Sequence, residues 1–435
     1  MSAALLAEGF KAEPYWWEAV PRGTANLRPL PAAADVAIVG SGYAGLSAAI
    51  ALARAGRSVV VIEAQSAGHG ASTRSVGMIG GRLRQSYTAL AKDFGAEKAL
   101  GLLRETWDAY GWFRGFVRDE AIECDLALSG RLICAWTPKD MEGLKRQADF
   151  LTKTFGIPAH TIGKEGLRAD VATDLYHGAM VLPEDGGVDP AKYHLGLLRL
   201  ARGEGVEVIE HTAVTGLVEG DEATEIVTAR GSVQARDVIL ATNAYTGREL
   251  PWYRRRVIAV GSHMIATSPL PAGEVDRLLP GGQLVNDTRK LAYAFRASPD
   301  RQRLLVGGRA LQLDRVDPVG IARRLKEVLV LSFPSLADIR VSHAWEGRVG
   351  FTFDRIPHMG RRGKVHHVLG CNGSGIVMSS YLGRRTAELL LSGRSTSLFA
   401  QQELPARPYY NGIPWFMPPM TFALSLQDRA RSWFG

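Results

Sequence analysis

Apolar and polar positions along this 435-residue chain change period several times, and the first change is the sharpest. Val36 to Val39 is an unbroken apolar run that stops at Gly40-Ser41-Gly42-Tyr43-Ala44-Gly45. An alanine-rich stretch with helical spacing continues to about Arg54, and a second apolar run, Ser58 to Ile62, closes on Glu63. Short unbroken apolar runs around a helix predict two buried parallel strands and their crossover. Residues 86–122 then carry apolar side chains at helical spacing (Leu90, Phe94, Leu100, Leu103, Trp107, Tyr110, Phe113, Val117). Strands flanking Gly130 are predicted over 126–136, and a further helix over 138–155. The turn-rich LPEDGGVDP at 182–190 precedes a helix to about Gly203, short strands at 206–209, 214–218 and 226–229, and a buried strand from Val238 that ends at Thr242-Asn243. Residues 257–353 alternate strand patterns with one charged helix, 320–331. A strand at 366–370, a glycine turn at 371–375 and a helix at 376–391 follow, and residues 1–34 read as an irregular arm pinned by Tyr15, Trp16 and Trp17. The pattern predicts an α/β fold, a doubly wound core interleaved with an α+β region on a largely antiparallel sheet.

The strand–turn–helix–strand unit at 35–63 has the chemistry of an adenine-dinucleotide site. Gly40 permits the tight turn, Gly42 lets backbone approach a pyrophosphate, and Gly45 lets helix pack on strand. The helix N-terminus offers unpaired N–H groups and a positive dipole end to the phosphates. Glu63, 18 residues beyond Gly45, is placed to accept from a ribose 2′-hydroxyl and would repel a 2′-phosphate. The plain alternative is a structural glycine turn in an ordinary α/β unit.

Composition narrows the class. The chain is 46% hydrophobic and 22% charged, ordinary for a globular protein, and long enough for two domains. The net charge of +8 is scattered, and the runs Arg254-Arg255-Arg256 and Arg361-Arg362 are too short for a nucleic-acid stripe. A solvated basic face, or attraction of an acidic substrate, accounts for it. Cys124, Cys134 and Cys371 show no CxxC pair and no metal spacing, so no metal is expected, and the sparse odd count suits a reducing compartment. With no secretory pattern and no apolar stretch of spanning length, a cytoplasmic location is expected.

The cluster Cys371-Asn372-Gly373-Ser374-Gly375 repeats near the end the strand–glycine turn–helix logic of the beginning. A helix N-terminus aimed at the N1–C2=O edge of a flavin would stabilise the anion formed on reduction, a feature that an NAD enzyme does not need. A capped C-terminal helix is the plain reading of the same segment.

Taken together the chain resembles the glycine oxidase/D-amino acid oxidase (DAO) superfamily of FAD enzymes, in its γ-glutamylputrescine oxidase-like branch. The resemblance rests on DVAIVGSGYAGLSAA (35–49), GASTRSVGMIGG (70–81), GGVDPAKYHLGLLRLAR (186–202), VILATNAYT (238–246), PWYRRRVIAVGSHMIATSPL (251–270), DTRKLAYAFR (287–296), LLVGGRA (304–310), WEGRVGFTFDRIPHMG (345–360) and CNGSGIVMSSYLGRRTAELL (371–390). It implies a Rossmann-like FAD-binding domain drawn from 35–85, 186–250 and 345–395, interleaved with a substrate domain from 86–185 and 251–344, and a tail at 396–435. It places Gly40, Ser41, Gly42, Ala44 and Gly45 at the pyrophosphate, and Glu63 and Ala64 at the adenosine ribose. Gly70, Ala71, Ser72, Arg74, Gly77 and Met78 fall along the ribityl and flavin wall, Val214 at adenine, Thr242 nearby, and Gly373, Ser374, Gly375 and Ile376 at the pyrimidine edge. Relatives that tether FAD use a histidine where this chain has Arg74, or a cysteine that 347–360 lacks, so non-covalent FAD is expected; His69 is off register. The chain also departs from the branch: Thr73, Ser75 and Val76 make the GAS wall bulkier, and the last cluster lacks the GxSGHG histidine.

The resemblance further implies hydride transfer from the α-carbon of a neutral amine to flavin, and an imine that hydrolyses, with oxygen or another acceptor reoxidising the flavin. Candidate pocket residues are His263, Tyr293, Arg296, Arg309 and Trp345. Tyr293 and Trp345 would wall an amine, and Arg296 or Arg309 would clamp a carboxylate. Each has a bland reading as core aromatic, rim arginine or packed histidine. Favoured substrates are γ-glutamylated or N-alkylated amines, with D-amino acids and sarcosine-like N-methyl amino acids next. An NAD-dependent dehydrogenase and a non-catalytic flavoprotein are the rivals. No nucleic-acid partner is expected, the assembly reads as monomer or homodimer, and the proline-broken tail reads as packed on the body or a subunit contact rather than on a membrane.

Overall fold

The computed structural model describes residues 5–20, 28–309, 317–400 and 403–434. Residues 1–4 and 21–27 of the expected arm, 310–316 of the strand-rich segment, and 401–402 and 435 of the tail lie outside the described residues.

Five parallel strands run side by side in the order Glu207–Ile209, Val59–Ile62, Ala33–Val39, Gly231–Leu240 and Val365–Leu369. Residues 36–39 and 59–62 are buried throughout, which is why they show no alternation. The ten-residue strand Gly231–Leu240 serves two partners on one edge. Its first half pairs with the antiparallel strand Thr224–Thr228, which pairs in turn with Val214–Glu219, and its last three residues pair with Val365–Leu369. Helices Tyr43–Arg54, Pro190–Gly203 and Gly375–Ser392 bury their apolar sides in one core with this sheet.

A second sheet of nine strands is mixed and largely antiparallel. Its order is Leu6–Lys11, Val341–Phe351, Ile258–Thr267, Leu304–Gly308, Ala294–Ala297, Leu284–Asp287, Arg131–Cys134, Gly178–Leu182, His160–Gly163. Helix Pro318–Ser332 covers it, packing Ile321, Leu325 and Leu329 into the core that holds Tyr293, Phe295, Leu304 and Val306.

Several elements differ from expectation for identifiable reasons. The arm contains a strand, Leu6–Lys11, parallel to Val341–Phe351, that no apolar run announced. Trp16 is fully buried, as the pinning role requires. The helical pattern over 86–122 is two helices, Tyr87–Phe94 and Ala96–Asp119, divided at Gly95 with φ +85°. Around Gly130 only Arg131–Cys134 is a strand; Ala127 makes a single bridge to Gly187. Helix Ala96–Asp119 packs into the core of the parallel sheet, and Val341–Phe351 runs wholly in the nine-stranded sheet. Element packing therefore crosses the divisions drawn at residues 86 and 345.

Four buried histidines give the fold a pH dependence, among them His343, lowered by burial to about 4. Burial lowers His263 and His366 to about 4 and His367 to about 3, from an ordinary 6.5. Their folded values lie below the unfolded one, so their contribution is complete above pH 6.5 and is lost as pH falls from there through about 4. At pH 5 the loss is roughly 1–2 kcal/mol per histidine. Thermal unfolding scans between pH 7.5 and 5 should show Tm falling by several degrees; a flat Tm would contradict the assignment.

Candidate active site

An elongated cavity of about 1020 Å³ runs from the first glycine turn, between the two sheets, to the loop after Leu284–Asp287. At one end Gly40, Gly42, Tyr43 and Ala44 face Glu63, Ala64 and Val214. Gly40 has φ +103°, and its N–H donates to Ile62 O at 2.9 Å, turning the chain sharply out of the strand. At Gly45 a β-carbon would overlap the Gly40 carbonyl oxygen, so only glycine lets helix meet strand here. The helix it opens has no cap from Gly42; Ser72 Oγ accepts from Tyr43 N–H at 3.2 Å, and the other first-turn N–H groups are left for a ligand. Glu63 is oriented by Ser41, whose N–H and hydroxyl both donate to Oε2, at 3.0 and 2.7 Å.

The middle is walled by Gly70, Ala71, Ser72, Gly77 and Met78, with Thr242 and Tyr245 opposite. Asn243, at φ +44°, ties that turn to the last glycine cluster: its amide donates to Cys371 Sγ at 3.2 Å and its oxygen accepts from Gly370 N–H at 3.0 Å. Gly373, Ser374, Gly375 and Ile376 close this end, and Ser374 Oγ donates to Arg82 O at 2.7 Å. The helix starting there also lacks a side-chain cap. Two helix N-termini therefore face one cavity.

Beyond this edge the lining becomes cationic. Arg82 and Arg131 line the cavity beside Asp185, whose carboxylate is fully buried and 3.4 Å from Arg131 Nε. Burial, with Arg131 nearby, lowers Arg82 to about 10, so it stays protonated at neutral pH. Its Nη1 is buried with no hydrogen-bond partner among the described residues, and so is Oδ1 of Asn286, which also lines the cavity. Arg84 contributes a third guanidinium. The far wall is Asn286, Asp287, Thr288, Arg289, Ala292 and Ala294. Arg289 Nε donates to Asp287 Oδ2 at 2.7 Å, and its guanidinium lies 4.6 Å from the ring centre of Trp136 and 4.4 Å from that of Tyr293.

Most of the cofactor-side residues expected from sequence line this cavity; Ser41, Gly45 and Arg74 act from behind it. Arg74 donates to His69 O and Glu346 O and lies over Trp17, stitching the GAS loop to the second sheet. The five substrate-side candidates do not line it. Tyr293, just before strand Ala294–Ala297, does not share the cavity with its neighbours Ala292 and Ala294 but packs into the core beneath Pro318–Ser332. Trp345 donates from Nε1 to Arg74 O at 3.0 Å, and Arg296 donates to Val76 O, Val188 O and Ala297 O. Both brace the cofactor-side wall from outside. Arg309 donates to Thr421 Oγ1 at 3.3 Å, and burial, then Arg309, keeps His263 neutral. Arg296, expected as a carboxylate clamp, does not line the cavity, and its Nε and Nη1 are engaged by backbone carbonyls.

Sequence reading missed Arg82, Arg131, Asn243 and 286–289. Arg82 stands one residue past GASTRSVGMIGG, and an arginine within the apolar strand Arg131–Cys134 was a second available signal.

Residues 35–389 match the DAO family, FAD dependent oxidoreductase. The chain belongs to this family. It is 31% identical over 400 residues to gamma-glutamylputrescine oxidoreductase of Escherichia coli (strain K12), covering 91% of this chain and 93% of that one. It is 31% identical over 381 residues to the probable oxidoreductase OrdL of Haemophilus influenzae, covering 86% of each. Among solved structures, glycine oxidase from Geobacillus kaustophilus superposes with a TM-score of 0.73 at 22% identity, over 87% of this chain and 100% of that one.

The cavity fits the family's cofactor. Its length joins a glycine turn suited to a pyrophosphate to a second helix N-terminus suited to the flavin's pyrimidine edge, and Glu63 stands where a ribose would lie. Because Arg296 braces this wall, Arg296→Leu should weaken FAD retention about tenfold and leave KM for the amine nearly unchanged. Equilibrium FAD titration beside steady-state kinetics separates the two outcomes; a selective rise in KM would return Arg296 to the substrate.

Proposed function

We propose that this protein oxidises the C–N bond of a small amine that carries an acid group, giving an imine that hydrolyses to an aldehyde or keto acid plus an amine. The supporting observation is the continuity of the dinucleotide-shaped cavity with an arginine-lined chamber whose Arg82 Nη1 is buried and has no hydrogen-bond partner among the described residues. Bound FAD supplies the acceptor for the hydride leaving the carbon next to nitrogen. The protein's part is positioning. Arg82 and Arg131 hold the substrate's carboxylate, Asn286 Oδ1 accepts a hydrogen bond from its amine, and the two sheets exclude water between them. γ-Glutamylated or N-alkylated amino acids fit this reading, and the name of the Escherichia coli relative favours the former. FAD is held without a covalent bond, since 347–360 has no cysteine and Arg74 occupies the tether position. Two of the three cysteines are buried free thiols, in keeping with a cytoplasmic location.

The purified protein should be yellow, and acid precipitation should release all FAD into the supernatant. An anaerobic screen of amines and amino acids should bleach the flavin, and peroxide detection on the hits then separates oxygen from another acceptor. Flavin left in the precipitate would refute the non-covalent assignment; absence of any bleaching amine would refute the reaction.

A further inference from the structure

The C-terminal end presents an apolar surface to solvent. Tyr409, Ile413, Trp415, Met420, Phe422 and Leu426 make up six of the twelve large apolar side chains found exposed among the described residues. Two prolines of the tail, Pro418 and Pro419, fall in the first turn of helix Met417–Phe434, where proline is tolerated. The helix is seated by Leu424, which packs on the core of the nine-stranded sheet, and by polar contacts. Buried Asp428 accepts the N–H groups of Lys290 and Leu291 at 2.8 and 3.0 Å, its carbonyl accepts from Trp136 Nε1 at 3.1 Å, and Arg431 pairs with Asp140. Phe422 and Leu426, one turn apart, point outward. A surface helix ordinarily turns its apolar stripe to the core, so these outward side chains are in excess of what packing uses.

Arginines border this surface. Arg254 Nε donates to Gly412 O at 3.4 Å and Arg256 Nε to Leu404 O at 3.0 Å, which sets the exposed Arg255 in the same neighbourhood. Exposed Arg407 lies over Phe353, which meets Tyr409 edge to face. From Leu404 to Gln427 there is no Asp or Glu. A second copy of the chain seated here about a two-fold axis would bring arginine against arginine. An anionic bilayer matches both properties: aromatic and aliphatic side chains enter the boundary between headgroups and acyl chains, and guanidinium groups meet lipid phosphates.

We propose that the face formed by 407–426 and Arg255 docks on an anionic lipid bilayer. Flotation of the FAD-loaded protein with phosphatidylcholine vesicles containing about 30% phosphatidylglycerol should show binding, and vesicles of phosphatidylcholine alone much less. Phe422→Ser with Leu426→Ser should weaken partitioning about tenfold, and Arg255→Ala or Arg407→Ala about fivefold each. FAD content and Tm serve as folding controls. Should the double variant lose FAD, Trp415→Ala, in the preceding loop, gives the same readout. Failure to float, or partitioning indifferent to all these changes, overturns the proposal. So does a concentration-dependent dimer in sedimentation that Phe422→Ser with Leu426→Ser dissolves.

Discussion

Arg82→Ala is expected to raise KM for an acid-bearing amine about 100-fold while kcat changes only a few-fold and FAD stays bound. The guanidinium is protonated at neutral pH, lines the cavity and keeps one N–H pair unspent among the described residues. A charge-assisted hydrogen bond with a carboxylate in such a place is worth about 3 kcal/mol, and its loss appears in binding because the carboxylate is held alike before and during hydride transfer. Arg82→Lys should recover part of the affinity, with one point charge in place of a fork. Steady-state kinetics with an amino acid and its methyl ester make the check internal: the variant should lose its preference for the acid. An unchanged KM would move the substrate's anionic end elsewhere.

Gly45→Val is expected to yield colourless protein, with FAD affinity lower by about 100-fold or more. Any β-carbon at this position overlaps the Gly40 carbonyl, so helix Tyr43–Arg54 must move off strand Ala33–Val39 and carry its N-terminal N–H groups away from the phosphates. Overpacking of this kind also costs about 1–3 kcal/mol of stability. Gly111→Ala is the control, because a β-carbon there meets nothing within 4 Å and the residue sits in mid-helix. That variant should be neutral or slightly more stable, fully yellow and active. FAD titration monitored by flavin fluorescence quenching distinguishes the pair; a yellow Gly45→Val protein would contradict the close-packing argument.

How far the sequence reaches can be seen from single residues. Val36–Val39, Gly40–Gly45, Glu63 and Gly373–Gly375 were legible because their signals are local: a buried strand, a tight turn and a helix start each leave a pattern a few residues long. The substrate side was not, because its geometry depends on which face of a strand is turned where. Tyr293 was chosen for its aromatic ring, but Ala292 and Ala294 face the cavity and Tyr293 the core. Arg296 has the right chemistry for a clamp, yet backbone carbonyls of residues 76 and 188, far away in sequence, already engage it. The same holds for Asp428, whose grip on the N–H groups of 290 and 291 spans well over 100 residues. The strand Leu6–Lys11 was missed because LAEGFK, half-exposed at a sheet edge, has neither an unbroken apolar run nor a regular alternation.

The central claim is that one cavity holds FAD at its glycine-lined end and an acid-bearing amine at its arginine-lined end. Anaerobic titration of the yellow protein with a γ-glutamylated or N-alkylated amino acid, and in parallel with its methyl ester, tests this most directly. Loss of the flavin's visible absorption at low concentrations of the acid, and only at much higher concentrations of the ester, is the result expected. Equal bleaching by both, or none by either, would contradict it.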